Sequence, residues 1–238
     1  MKQGCIHFDR IASNYDEQLP KHIRDFLLLK KTNLTVEALR KYNITEGRGI
    51  DLGCGTGWYL KALSSEYNYR MTGIDSSISL IEEAKRNNSA NPVELRCLDM
   101  LKLDFPAETF DFAYCINSLH HLQNDNQLQL ALKEIYKILK KGGLCIIHEL
   151  NTFFLFRLYL NYIFPLTNKI DKIGGENWVS VNKLFQQDLF QVKEVHYYTF
   201  FPHIIPKFLF CDFLKLNRLM EKIYFRKFGV HYMAVLKK

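Results

Sequence analysis

Short apolar runs and amphipathic stretches alternate along most of the chain. GRGIDLGCG (residues 47–55) is an apolar run ending in glycine turns, which suits a buried parallel strand. GWYLKALSSEY continues it as a helix, and YRMTGID (69–75) is a second strand. SSISLIEEAKRNN is a helix with serine at its start, where Glu82 and Arg86 lie four apart in the favourable order. PVELRCLD (92–99) and FDFAYCINSL (110–119) are the third and fourth strands. DNQLQLALKEIYKILKKGG (125–143) is a long amphipathic helix with basic residues in its last turn and glycine after it. LCIIHEL (144–150) is a fifth strand. Later come a helix at 180–190, a strand at 192–201, a helical run near 204–226 and a strand at 230–237. Before all of these, residues 10–42 read as helical segments broken near Pro20.

Repeated strand–helix units of this length predict an α/β fold, with helices on both faces of a parallel sheet. The late strands complete seven. The chain of 238 residues suits one domain. Within it, residues 1–45 read as an N-terminal helical cap, 46–150 as the ligand-binding core, 151–175 as an apolar cap insertion and 176–238 as the completion of the sheet.

Charge changes the picture for the C-terminal part. Residues 1–150 hold 19 Lys and Arg against 19 Asp and Glu, whereas residues 151–238 hold 13 against 6. The same segment carries 20 of the 33 aromatic residues. Six cysteines (Cys5, Cys54, Cys97, Cys115, Cys145 and Cys211) lack C-x-x-C spacing and read as reduced thiols of a cytosolic protein. The N-terminus has no apolar leader-like run, and no apolar run reaches the ~20 residues of a membrane span.

The glycines of GIDLGCGTGWYL fall between a strand and a helix, where free N–H groups and the helix dipole favour an anionic group. Close approach of a ligand to backbone needs glycine. A phosphate loop would need Lys-Ser or Lys-Thr after Gly57, and a dinucleotide fingerprint would need glycine where Trp58 stands. Asp51, Gly53, Gly55 and Gly57 remain as D-x-G-x-G-x-G. Asp75 ends the second strand at the spacing of a ribose-binding carboxylate, and Asp99 ends the third, where it can accept from an adenine amino group.

With these residues the sequence resembles the class I S-adenosylmethionine (SAM)-dependent methyltransferases, in the UbiE/methyltransferase-11-like group. DLGCGTG, GIDSS, CLDML, FDFAYCINSLHHL and LKKGGLCII carry the resemblance in order over residues 46–150, and GVHYMAVLKK suits the antiparallel last strand. It implies a Rossmann-like, seven-stranded, mostly parallel sheet and SAM as cofactor. It further implies that Gly53, Cys54, Gly55 and Gly57 meet the methionine part, with Asp51 ordering the loop and the amino group. Asp75 and Ser76 would hold the ribose, Asp99 and Met100 the adenine, Ile116 and Asn117 the methionine side, and Tyr15 would cover the cofactor.

Methyl transfer from a sulfonium is an in-line displacement, so the protein contributes alignment and exclusion of water. A hydroxyl acceptor gains from a general base. His120 and His121, just past the fourth strand, and His148, at the end of the fifth beside Glu149, are the candidates. Because neighbours on a strand point to opposite faces, one of His148 and Glu149 is expected to be buried against a helix. No metal-ligand spacing is present, so no metal is expected.

NTFFLFRLYLNYIFP, with only Arg157 and Asn161 on a polar stripe, suits a cap over an apolar or lipid-linked acceptor and admits peripheral contact with a membrane. Lys215, Arg218, Lys222 and Arg226 share one helix face that suits lipid headgroups or RNA phosphates. His22 and Arg24 are placed near the cleft mouth. The leading expectation is O-methylation of a small apolar or lipid-linked molecule. An RNA-modifying enzyme and a non-catalytic SAM-binding protein are the alternatives. The apolar segment disfavours nucleic acid, and the sequence does not fix the oligomeric state.

Overall fold

A computed structural model of the protein describes residues 3–67, 69–91, 93–152, 177–200, 205–222 and 226–238. The apolar cap insertion predicted at 151–175, with Arg157 and Asn161, lies almost wholly outside them. The described elements in chain order are α1 (Gln3–Ile11), a 3-10 segment (Ala12–Gln18), α2 (Lys21–Lys41), β1 (Gly47–Leu52), α3 (Trp58–Glu66), β2 (Tyr69–Asp75), α4 (Ile78–Asn87), β3 (Glu94–Cys97) and β4 (Phe110–Ile116). They continue with α5 (Asp125–Ile138), β5 (Leu139–Leu150), α6 (Val181–Phe185), β6 (Gln191–Tyr198), α7 (Phe210–Lys222) and β7 (His231–Lys237).

The strands form one sheet in the order β3-β2-β1-β4-β5-β7-β6. The first five are parallel, and β7 runs antiparallel to both β5 and β6. The order reverses between β1 and β4, which opens a crevice at the C-terminal strand ends. Alternation along the central strands divides the core into two layers. Ala113 and Cys115 of β4, with Cys145 and Ile147 of β5, pack with Leu128, Leu132 and Ile135 of α5. Phe112 and Tyr114, with Leu144 and Ile146, share the opposite layer with Leu39 of α2 and Leu60 of α3. Central strands buried on both faces require the near-continuous apolar runs seen in the sequence.

Local chemistry sets the ends. Ser77 Oγ accepts from the Leu80 N–H and caps α4, and Asn124 Oδ1 accepts from the Gln127 N–H and caps α5. Three boundaries differ from the sequence expectation. Helix α5 ends at Ile138, because the N–H groups of Glu108 and Thr109 take the carbonyls of Lys137 and Ile138 as β4 begins. Lys140 then belongs to β5 and pairs with Asp111 at 2.7 Å. Helix α6 stops at Phe185, and the Gln187 side chain closes the next turn by accepting from the Leu189 and Phe190 N–H groups. On α4, Glu82 pairs with Lys85 and Arg86 with Glu83, in place of the expected Glu82–Arg86 pair.

The predicted helical run at 204–226 is divided. A 3-10 turn at Lys207–Leu209 precedes α7, and Arg226 opens a separate 3-10 turn. Lys215, Arg218 and Lys222 lie on α7 and Arg226 on the later turn, and Lys215 pairs with Asp212 at 3.4 Å. Among the described residues, no helix is long and apolar enough to cross a membrane.

Candidate active site

The crevice between the ends of β1 and β4 contains a cavity of about 350 Å³. Its floor includes Asp51, Gly53, Cys54 and Gly55 from the first strand and loop, and Ile116 and Asn117 from the end of β4. Its other wall comes from the N-terminal part, with Tyr15, Leu19, Arg24 and Leu28.

Two acceptors on this floor have no hydrogen-bond partner. Asp51 Oδ1 and Asn117 Oδ1 are both buried and unpaired. Burial pushes the Asp51 carboxyl up to about 8; the nearby Tyr114 hydroxyl works the other way, and Asp75 adds to the rise. Asn117 sits at φ 52, a left-handed conformation that asparagine tolerates better than most residues, and its N–H donates to the His148 carbonyl at 2.8 Å. An unpaired buried acceptor is costly. A bound ammonium donates three hydrogen bonds and carries the charge that would ionise Asp51. These residues therefore fit the amino end of a SAM-like ligand.

The glycines divide their work. Gly53 (φ +79) and Gly55 (φ +53) turn the loop and line the cavity. Gly57 does not line it. A Cβ there would lie 2.7 Å from Asn88 Nδ2 and 3.0 Å from Ala84 Cβ, so this glycine admits α4 against the loop. Asp75 braces the loop from below, accepting from the Gly55 N–H at 3.0 Å through Oδ2 and from the Ser77 N–H at 2.9 Å through Oδ1. Burial raises the Asp75 carboxyl, against these bonds. Ser76 is exposed beside it. Asp99 Oδ1 accepts from the Leu101 N–H, and Met100 Cε lies 3.5 Å from where a Gly53 Cβ would be. Asp75, Ser76, Asp99 and Met100 thus flank the loop on the β2–β3 side and do not line the described cavity.

Tyr15 lies over the loop. Its Cε1 is 3.5 Å from where a Gly55 Cβ would stand. Its neighbour Asp16, which the sequence reading passed over, fastens this cover. Asp16 accepts from Thr56 Oγ1 at 2.9 Å and from Trp58 Nε1 at 2.7 Å, at the start of α3. Asp9 does the same at α4, accepting from Ser77 Oγ and the Ser79 N–H. The visible signals for Asp16 are its place after Tyr15 and the tryptophan directly after the last glycine. Arg24 Nη1 donates to the Asp16 carbonyl, while His22 bonds the Ile205 carbonyl at 2.9 Å and lies away from the cavity lining.

The three histidines separate. His148 and Glu149 point to opposite faces and both are buried, at 0% and 1% exposure. The His148 ring bonds Thr35 Oγ1 through Nε2 and the Tyr198 hydroxyl through Nδ1, both at 2.9 Å. Burial, then Lys31 and His196, hold its pKa well below the usual histidine range. Enclosed by these partners, His148 is not placed to receive a substrate proton. The Glu149 carboxylate accepts from the Leu119 N–H at 2.9 Å and from His120 Nδ1 at 2.7 Å. That contact fixes the His120 tautomer and makes Nε2 the basic nitrogen. His120 also stacks on Trp178. His121, held neutral by burial and then by the neighbouring His120 and His7, lies edge-on to Phe8, whose ring meets Tyr15. Neither His120 nor His121 lines the described cavity. Among the described residues, no cluster of His, Cys, Asp or Glu could hold a metal ion.

With this geometry, comparison with known proteins decides the family. Residues 50–147 match the model of the methyltransferase domain family, Methyltransf_11. Residues 50–147 are a methyltransferase domain. The fold extends the likeness over the whole chain. A SAM-dependent methyltransferase of Thermotoga maritima superposes with a TM-score of 0.63 at 22% identity, covering 98% of this chain and 99% of that one. A Schizosaccharomyces pombe tRNA (carboxymethyluridine(34)-5-O)-methyltransferase is 35% identical over 95 residues, which are 40% of this chain and 38% of that protein. An O-methyltransferase of Penicillium expansum, cnsE, is 33% identical over 105 residues, which are 42% of this chain and 37% of that one. The chain therefore spans less than half the length of these curated relatives. The methyltransferase domain is of the SAM-dependent class, in keeping with its class I fold.

Proposed function

We propose that the protein transfers the methyl group of SAM to an oxygen of a small acceptor that is apolar or lipid-linked. The paired orphan acceptors Asp51 Oδ1 and Asn117 Oδ1 in one cavity carry the cofactor part of this reading. For the acceptor, support comes from Leu19, Leu28 and Tyr59, the apolar members of a lining that also holds Lys21, Arg24 and Asp25. Two relatives with O-methyltransferase names, from Penicillium expansum and Pyrenophora dematioidea, favour oxygen as the receiving atom.

SAM supplies an activated methyl group when bound. The chain's own residues hold the ammonium at Asp51 and Asn117, brace the glycine loop through Asp75, and exclude water under Tyr15. The His120–Glu149 pair is the best arranged of the three base candidates, since a fixed carboxylate orients the ring. The experiment uses methyl-labelled SAM, the purified protein and a lysate depleted of its own methyltransferase activity, with products split into organic, aqueous, protein and RNA fractions. Label in the organic fraction is the expected result, lost with Asp51→Ala. Label in RNA would contradict the acceptor class and favour the activity named for the yeast relatives.

A further inference from the structure

Helix α7 is anchored to the molecule by one face. Phe210, Phe213 and Leu214 pack against Ile23 and Leu27 of α2 and against Ile205. Asn217, next on that face, is buried; its Oδ1 accepts from the Phe200 N–H at 2.7 Å and its Nδ2 donates to Glu221 at 2.9 Å. Glu221 in turn pairs with Lys30 of α2 at 2.8 Å. These contacts fix the rotation of the helix, so its opposite face points outward.

That outward face is not the polar one a solvated helix presents. Leu216 and Leu219 stand on it, the latter at 55% exposure. The 3-10 turn that runs directly into α7 adds Leu209 and Phe208, which at 81% is the most exposed large apolar side chain among the described residues. Phe208, Asp212, Lys215 and Leu219 recur at steps of four, three and four and so form one stripe. Lys207 and Arg218 are exposed beside it. Asp212 lies 3.4 Å from Lys215, whereas Glu221 is turned inward to Lys30. Residues 205–228 hold six Lys and Arg against two Asp and Glu. Single exposed apolar residues are ordinary, but a cluster of them rimmed by charge marks an interaction surface.

We infer that α7 and the turn before it are a docking surface for an anionic lipid bilayer. The phenylalanine and leucine side chains enter the headgroup boundary, and the lysine and arginine stems reach to the lipid phosphates. The excess of cations selects a bilayer of negative surface. The leucines favour a bilayer over RNA, which rewards cations and flat stacking rings. Helix α2 meets α7 through Lys30 and lines the cavity with Arg24 and Leu28, so docking places one cavity wall a helix away from the bilayer. The inference stands on this surface and does not rest on the methyl-transfer reading.

The test is co-sedimentation of the purified protein with vesicles of phosphatidylcholine alone and of equal parts phosphatidylcholine and phosphatidylserine, with no SAM present. Binding to the anionic vesicles is expected to be at least about tenfold tighter and to weaken with added salt. Phe208→Ser combined with Leu219→Ser is expected to lower that affinity at least about tenfold at an unchanged Tm, since both side chains are exposed. Lys215→Ala combined with Arg218→Ala is expected to lower it about tenfold as well, on the anionic vesicles only. Equal binding to the two kinds of vesicle, including none, overturns the inference, as does native-strength binding by either double variant. A protein that dimerises by light scattering, and loses the dimer in Phe208→Ser with Leu219→Ser, overturns it by assigning the face to a second copy. An RNA oligonucleotide that displaces the protein from the anionic vesicles overturns it in favour of nucleic acid.

Discussion

The single residue that most constrains the cavity is Asp51. Its folded pKa lies near 8, far above the ordinary aspartate value of 3.8. Between those values the folded protein holds a proton that the unfolded chain has released. The contribution of Asp51 to stability therefore falls as pH rises through that window and is flat above about 8. An ammonium bound beside Asp51 reverses the preference and drives the proton off. SAM binding at pH 6.5 is accordingly expected to release about one proton, and affinity should climb from pH 6 toward 8. Titration in two buffers of different ionisation enthalpy measures this directly. Asp51→Asn should flatten the slope and weaken binding by about tenfold or more, and a slope that survives in Asp51→Asn would exclude Asp51 as the group responsible. Lys31, buried on α2, behaves oppositely. Lys31 has a depressed pKa, so its cost is present below about 7 and is relieved as pH rises toward the ordinary lysine value.

At the scale of elements, the N-terminal segment is held by two carboxylates set on helix starts. Asp16 joins the Tyr15 cover to Thr56 and Trp58, and Asp9 joins α1 to Ser77 and Ser79. Asp16→Ala removes two side-chain bonds from a partly exposed site. It is expected to cost about 1–2 kcal/mol of local stability and to speed proteolysis within residues 12–20, with a weaker SAM affinity. Unchanged cleavage there would show that packing of Tyr15 alone holds the cover. Gly57→Ala should act differently, since its Cβ would press on Asn88 and Ala84 at a positive φ. Loss of Tm exceeding any loss of cofactor affinity is expected, and the reverse pattern would return Gly57 to the ligand.

The same scale shows what the sequence could and could not disclose. Strand periodicity and the glycine-aspartate spacing revealed β1 to β5, because each strand's neighbours in the chain decide its burial. The ends of α5 and α6 were hidden, because partners distant in the chain, such as Glu108, and side-chain competition from Gln187 set them. Asp51, Gly53 and Asn117, picked out by motif and position, do line the cavity. Asp16 was not picked out, because its contacts depend on how the N-terminal segment folds back over the crevice. His148 was misjudged for the same reason. Its place beside the crevice is a sequence fact, but its enclosure by Thr35 and Tyr198 is a tertiary one.

For the whole molecule, the parallel sheet supplies a fixed floor and the N-terminal segment and α2 supply the opposite wall of the cavity. The conserved geometry of the fold over nearly the full chain of the Thermotoga maritima protein, against sequence likeness confined to about 100 residues in the curated relatives, matches this division. On the function proposed above, cofactor binding would belong to the shared part and acceptor choice to the remainder. Swapping Leu28 for Gln, in the wall, is therefore expected to lower turnover of apolar acceptors severalfold with SAM affinity unchanged, measured as kcat/KM beside a SAM titration. An equal loss of both would place Leu28 against the cofactor.

The most direct test of the account is calorimetric titration of the purified protein with SAM, alongside Asp51→Asn and Asp75→Ala. One SAM per chain, with proton release near neutral pH and weakened binding in both folded variants, is the predicted result. SAM binding that is absent, or that both variants retain at full strength, would contradict the assignment of this cavity to the methyl donor.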